Sequence, residues 1–295
     1  MVAGVEAALI PLMEIWSPVT GRRGVSLPFA DFAGILWTDT RQQAAVSQAL
    51  LGLAAERKWK HLELRGGPPP TPEAGSFRTY RAHELDLGPG LAQLARRLPA
   101  STRRSIHKAE RSGLTITIGR DLQAMQAFYQ LHGRTRRRHG LPPQPFGFFD
   151  AIRSHLIEPG LGVIVLAHQA GTAVAGAVFF YSGGRAIYKF GASDNDRWYL
   201  RPNHLVMWRA IQYLADIGCQ SLDFGRTQST DAGLIRFKQS WTVAEVTLSY
   251  FRYHTGKLAW ITDANPPLEG LPLVFSHLPL SLNRIAGRLI YPHLD

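Results

Sequence analysis

The sequence predicts an α/β fold built around mixed, mostly antiparallel sheets flanked by helices. Three observations carry this. The order of elements runs twice through strands, a helix and strands with a central hairpin, which is not the strict strand–helix alternation of a doubly wound nucleotide fold. No repeat of 20–50 residues is present in the letters, so the chain is not a solenoid. A chain of 295 residues with 45% hydrophobic and 10% aromatic content can bury a sizeable core, in one large domain or two.

Taken in order, residues 1–21 read as a helix or loop broken at Ser17-Pro18. Residues 24–37 (GVSLPFADFAGILW) mix short strands with turns; Asp31 and Trp37 there read as a satisfied core edge rather than as ligand-facing groups. Thr40 caps a helix whose apolar positions Ala44, Val46, Ala49, Leu50, Leu53 and Ala54 recur at helical spacing. Residues 59–64 alternate as a strand, the four prolines within 66–75 impose a loop, and 77–87 form another strand.

After an amphipathic piece ending at Pro99, Ser101 is the expected N-cap of a helix stopped by Gly113. Arg104, Lys108 and Arg111 share one face of it, fit either for phosphate or for plain solvation. Residues 114–118 are a strand. Asp121 caps a helix with Leu122, Met125, Phe128 and Leu131 inward, and the arginines at its end suit the helix dipole. Residues 146–156 are a further helix. Residues 162–181 read as a hairpin around Gln169-Ala170-Gly171-Thr172, and 186–190 as the next strand. A polar segment, 192–201, leads to a helix over 202–217 ended by Gly218, with Asn203 as its cap and an N-terminus able to meet an anion. Residues 241–253 close the sheet. The segment 278–289 has amphipathic spacing with Arg284 and Arg288; it either docks on the core or lies on an anionic membrane surface.

The totals exclude several classes. One cysteine, Cys219, rules out an internal disulfide framework, and scattered histidines give no zinc pattern. Residues 1–16 make a poor signal peptide, with Glu6 and Glu14 and no basic start. No apolar run approaches the ~18 residues of a membrane helix. Neither G-x-G-x-x-G, a GK[ST] phosphate loop nor a G-x-S-x-G elbow occurs. A formal charge of +11 favours anionic partners: nucleic acid, nucleotide diphosphates or acidic lipid.

The stretch that concentrates chemistry is Ser221-Leu222-Asp223-Phe224-Gly225-Arg226, followed by a polar loop and a short helix carrying Phe237-Lys238. A buried strand that ends in a carboxylate, a glycine and a guanidinium brings charge to a sheet edge, where a site can form. Asp223 and Arg226 could equally pair with each other.

Residues 98–252 resemble the FemAB family, FemX-like or BioF-like acetyltransferase domains of the GNAT superfamily. The resemblance rests on LPASTRRSIHKAERSGLTI (98–116), HGLPPQPFGFF (139–149), AGTAVAGAVFF (170–180), YKFGASD (188–194), RPNHLVMWRAIQYLADIG (201–218), SLDFGR (221–226) and GLIRFKQSW (233–241). SLPFADFAGIL (26–36) and LPLSLNRIAG (278–287) are similar to the family too. It implies two GNAT-like halves, divided as residues 1–95 and 96–256 with a tail at 257–295 packing on the core. It also implies acyl transfer to an amine from a donor that is either an aminoacyl-tRNA or an acyl-CoA, with no bound cofactor or metal. Peptidoglycan or polysaccharide precursors are the acceptors it implies, in a cytoplasmic protein peripheral to the inner membrane. Carried onto this chain, catalysis falls to Lys238, Arg226 and Asp223. Substrate contacts fall to Tyr188, Asp194, Asn203, Arg104, Lys108 and Phe237. Three features depart from the family pattern: Thr242 follows Trp241 where the family usually has glycine, no coiled-coil heptads mark the long helical arm of some tRNA-using members, and the GNAT pyrophosphate loop R/Q-x-x-G-x-G/A is absent. A small-molecule N-acetyltransferase and a non-catalytic RNA- or membrane-binding protein are the alternatives.

Overall fold

A computed structural model describes residues 8–262 and 271–293, and one eleven-stranded mixed sheet organises them. Across that sheet the order is β2 (Met13–Ser17), β3 (Gly21–Val25), β5 (His61–Arg65), β12 (Ala244–His254), β6 (Arg78–Asp86), β11 (Ser221–Thr227), β10 (Arg185–Ser193), β9 (Thr172–Ser182), β8 (Gly162–Gln169) and β7 (Thr115–Gly119). β13 (Ala259–Ile261) adds to β12, while β1 (Ala8–Leu9) and β4 (Leu36–Trp37) pair separately. Within the described sheet β3–β5 and β10–β11 are parallel and the other pairs antiparallel. The fold is thus α/β with a mixed, mostly antiparallel sheet, as expected.

Helices cover both faces. The helices are α1 (Gln43–Glu56), α2 (Leu91–Arg97), α3 (Ala100–Arg111), α4 (Leu122–Arg138), α5 (Phe146–Ile152), α6 (Pro202–Asp216), α7 (Ala232–Gln239), α8 (Leu271–His277) and α9 (Leu280–Ile290). β8 reads as a continuous apolar run because both its sides are buried. Val163, Val165 and Ala167 join the core under α3 and α6, and Ile164 and Leu166 join the core under α4 and α5. The third core lies under α1, where Leu50 and Ala54 pack near Leu62, Leu64 and Phe251.

Several expectations change. Residues 13–17 and 21–25 are a β-hairpin, not helix or loop; the Ser17 hydroxyl accepts from Val19 and Thr20 N–H, and Gly21 turns at φ +82°. Residues 1–7 lie outside the described residues. Asp39, not Thr40, caps the 3-10 turn that starts α1. Ser101 is exposed in the first turn of α3, whose N-cap is Pro99. Leu122 stays 43% exposed, whereas Met125, Phe128 and Leu131 are buried. Arg201, in the left-handed region at φ +61°, starts α6 in place of Asn203, because Pro202 fits the first helical turn. The Asn203 amide donates instead to Ser193 Oγ at 3.3 Å. Asp121 and Gly113 behave as read: Asp121 accepts from Ala124 N–H and Gly113 sits at φ +71° just past α3. None of the described helices is long and apolar enough to cross a membrane.

Candidate functional site

β10 and β11 run parallel only from Arg185↔Ser221 to Ile187↔Asp223. Beyond that point β10 continues to Ser193 and β11 to Thr227 without pairing, so the two strands part. β11 also bulges. Asp223 faces Glu84 and Arg226 faces Ala82 on β6, leaving Phe224 and Gly225 together opposite His83. Gly225 takes φ +69°, and the Asp223 carboxylate accepts its N–H at 2.7 Å. Only glycine fits, because a Cβ there would also lie 2.8 Å from Asp31 Oδ2.

A cavity of about 560 Å³ occupies the gap between the parted strands. Tyr188 and Lys189 come from β10, Gly225 and Arg226 from β11, and Phe237 and Lys238 from α7. Asn203 and His204 contribute from the start of α6. Lys238 is 2% exposed, and its Nζ donates to the Gly225 carbonyl at 2.8 Å and the Arg226 carbonyl at 3.3 Å. Burial lowers its pKa to about 8, against the pull of Asp31, Asp223 and Asp231. It therefore remains mostly a cation at neutral pH, aimed at a bulge whose carbonyls it holds.

Asp31 ties the other cations together. Its carboxylate lies 3.4 Å from Arg226 Nε and 3.5 Å from Lys189 Nζ. Lys189 also donates to the Phe29 carbonyl at 2.6 Å, and burial lowers its pKa. Arg226 donates to the Tyr250 hydroxyl at 2.9 Å and lies 4.7 Å over the Tyr80 ring. Burial lifts Tyr188 to about 12, so its phenol stays protonated. At the far side Arg138, His139 and Arg201 flank the start of α6, which has no side-chain cap. Such an end is suited to an anion. His204 is lowered to about 4 by burial and packs edge-on to Phe237, so it is neutral at pH 7.

Of the residues singled out in sequence, Lys238, Arg226, Tyr188, Asn203 and Phe237 line this one cavity. Asp223 sits behind the bulge that it closes. Asp194 caps the 3-10 turn Asn195–Leu200 and stands 3.7 Å from Arg134. Neither carboxylate is in the wall; those of Asp31 and Asp231 are. Arg104 and Lys108 are exposed on α3 and do not line the cavity. Sequence reading took Asp31 for a core edge and did not single out Lys189, Arg138 or His204. Each lies within or beside a stretch that carries the resemblance, but their convergence depends on pairings between distant segments. Among the described residues, no three His, Cys, Asp or Glu gather as a metal-ligand set.

Residues 96–239 match the family model of the acetyltransferase (GNAT) domain. A lipid II:glycine glycyltransferase of Staphylococcus saprophyticus subsp. saprophyticus is 28% identical over 97 residues, 33% of this chain and 23% of that protein. A Staphylococcus aureus protein of the same name is 31% identical over 80 residues, 25% of this chain and 19% of that protein. The chain thus spans about a fifth of the length of these curated relatives. The crystal structure of FemX superposes with a TM-score of 0.61 at 15% identity, over 84% of this chain and 85% of that one.

Proposed function

We propose that this chain, whose residues 96–239 match the acetyltransferase (GNAT) domain, is a FemX-like enzyme that transfers an acyl or aminoacyl group from an activated donor to an amine in cell-envelope synthesis. The observation that carries the reading is the buried Lys238 ammonium at the bulge between two parted parallel strands. An acyl donor entering that gap brings its carbonyl to a fixed cation in a site shielded from water, where a developing oxyanion is strongly stabilised. The amine attacks the ester or thioester carbonyl, negative charge collects on that oxygen beside Lys238, and the carbonyl re-forms as the alcohol or thiol leaves. The amine must shed a proton. Asp31 and Asp231 are the carboxylates in the wall, and we assign that task, or orientation of the amine, to Asp31. Arg138, His139 and Arg201 at the start of α6 offer a seat for donor phosphates, which both coenzyme A and tRNA possess.

The names of the curated relatives support a lipid-linked peptidoglycan precursor as acceptor. A polysaccharide precursor is the second candidate acceptor, and action at the cytoplasmic face of a membrane follows from either.

A donor screen with the full chain tests the proposal: release of thiol from acetyl-CoA, or deacylation of aminoacyl-tRNAs, with and without a muropeptide acceptor. Thiol release on adding amines identifies a coenzyme-A enzyme, and acceptor-dependent deacylation identifies a ligase of the FemX kind. Lys238→Met should lower turnover at least about tenfold with its fold retained; turnover near that of the native chain in the variant would remove Lys238 from the mechanism. Salt-sensitive RNA binding with no turnover on any donor would overturn the enzyme reading.

A further inference from the structure

A surface helix of a globular protein normally turns its apolar side inward. α9 does the reverse. Its buried residues are Asn283 and Gly287, and a Cβ on Gly287 would collide with the Pro143 carbonyl oxygen, so the helix backbone presses directly on the 142–143 turn. Facing solvent are Leu282, Ile285 and Leu289, at 50%, 56% and 66% exposure. Their spacing of i, i+3 and i+7 aligns them in one stripe about 10 Å long. Just past the C-terminal end of α9, Ser17 Oγ and His293 Nδ1 lie 2.9 Å apart and so hold the β2–β3 hairpin, which carries two more exposed apolar groups, Trp16 in β2 and Val19 in the turn.

Beside the stripe lies a second cavity of about 510 Å³, lined by Gln126, Gln130, Tyr129, Phe146, Arg284 and Arg288. The Arg284 guanidinium lies 5.1 Å over the Tyr129 ring and donates to Gln130 Oε1 at 2.7 Å. Its Nε is buried with no partner among the described residues.

We infer that α9 is an interfacial anchor that lies in the headgroup layer of an anionic phospholipid bilayer, with Leu282, Ile285 and Leu289 toward the acyl chains and Arg284 and Arg288 drawing a lipid phosphate into the adjoining cavity. An apolar stripe edged by arginines is the pattern of helices that lie in a membrane surface. Charge decides between bilayer and second copy. Two copies meeting on this face would set Arg284 and Arg288 against their own kind, in a protein whose formal charge is +11, whereas an acidic leaflet complements both. Three side chains also fall well short of the roughly 800 Å² per partner of a stable protein interface. This inference goes beyond the proposed acyl transfer, and its test needs no turnover, so either can fail alone.

The test is flotation of the full chain with vesicles of phosphatidylcholine alone and of phosphatidylcholine mixed with phosphatidylglycerol. The native chain should float with the mixed vesicles at least about tenfold better than with the neutral ones. Ile285→Glu and Leu289→Glu, at exposed positions that leave the fold intact, should each lower that partition about tenfold or more. Arg284→Gln and Arg288→Gln should each cost roughly fivefold on mixed vesicles and little on neutral ones. No preference for the mixed vesicles, or unchanged flotation of Ile285→Glu, overturns the proposal. So does a dimer in solution that Ile285→Glu dissolves, or inorganic phosphate binding at Arg284 without any flotation.

Discussion

At Lys238 an ammonium sits almost wholly out of water with two main-chain carbonyls as its known partners. Its pKa in the folded chain is about 8, below the ordinary 10.5. Between those values the unfolded chain binds more protons than the folded one, so stability rises with pH across about 8 to 10.5 and rests at its lower level below pH 8. The depression corresponds to roughly 3 kcal/mol. Lys238→Met should therefore lose this rise; chemical denaturation of both forms at pH 7 and pH 10 measures it, and parallel pH profiles would contradict it. If the ammonium serves the reaction as a cation, turnover should also fall above about pH 8. Thr242 poses a different residue-scale problem. It is exposed yet held at φ +60°, a region that a β-branched residue occupies only under strain. Thr242→Gly should stabilise the fold by about 1 kcal/mol. Thermal unfolding should show a melting temperature raised by about 2 °C, and a lowered one would mean the hydroxyl or methyl does something the structure does not reveal.

The elements divide into those governed by local chemistry and those governed by distant partners. The 162–182 hairpin was legible because Ala170 and Gly171 form a tight turn with positive φ between two apolar runs. α4 was legible from Asp121 and the spacing of Met125, Phe128 and Leu131, and Gly218 marked the end of α6. The edge strand β2 was not, since Pro18 and mixed polarity hide a hairpin that long-range pairing to β5 makes worthwhile. The bulge in β11 was half legible. Gly225 announced a turn or a close approach, but that Asp223 would close the bulge and Lys238 would hold its carbonyls depends on β6 and α7 lying alongside. Lys238, Arg226, Tyr188, Asn203 and Phe237, which the resemblance singled out, line one cavity, whereas Arg104 and Lys108 lie exposed on α3 outside it. Asp31 was read as a core edge, and nothing near it in sequence tells that Arg226 and Lys189 will converge on it. Gly225→Ala tests the bulge as an element. The substitution combines positive φ with a contact on Asp31, so a loss of about 1–3 kcal/mol is expected. It should be accompanied by a drop in turnover, read by denaturant titration beside the donor assay; an unchanged stability would mean that β11 can straighten freely.

For the whole molecule, the sheet decides how the chain behaves as a unit. β6, from the first 95 residues, lies between β12 and β11, both from the span 96–256. The proposed division at residue 95 thus separates stretches of sequence whose strands are interleaved in one sheet. Calorimetry of the full chain should give a single transition, and a separately expressed 1–95 piece should show no cooperative unfolding; two resolved transitions would restore independent halves. The same interleaving bears on the moment of synthesis. β6 ends at Asp86, and its two neighbours begin at Ser221 and Ala244. At roughly 10 residues per second, a nascent β6 waits on the order of ten seconds with both edges open. Throughout that interval it displays unpaired main-chain groups on the ribosome. The exposure falls during synthesis, when holding chaperones can cover the open strand, and it ends once β11 and β12 have emerged to pair with it.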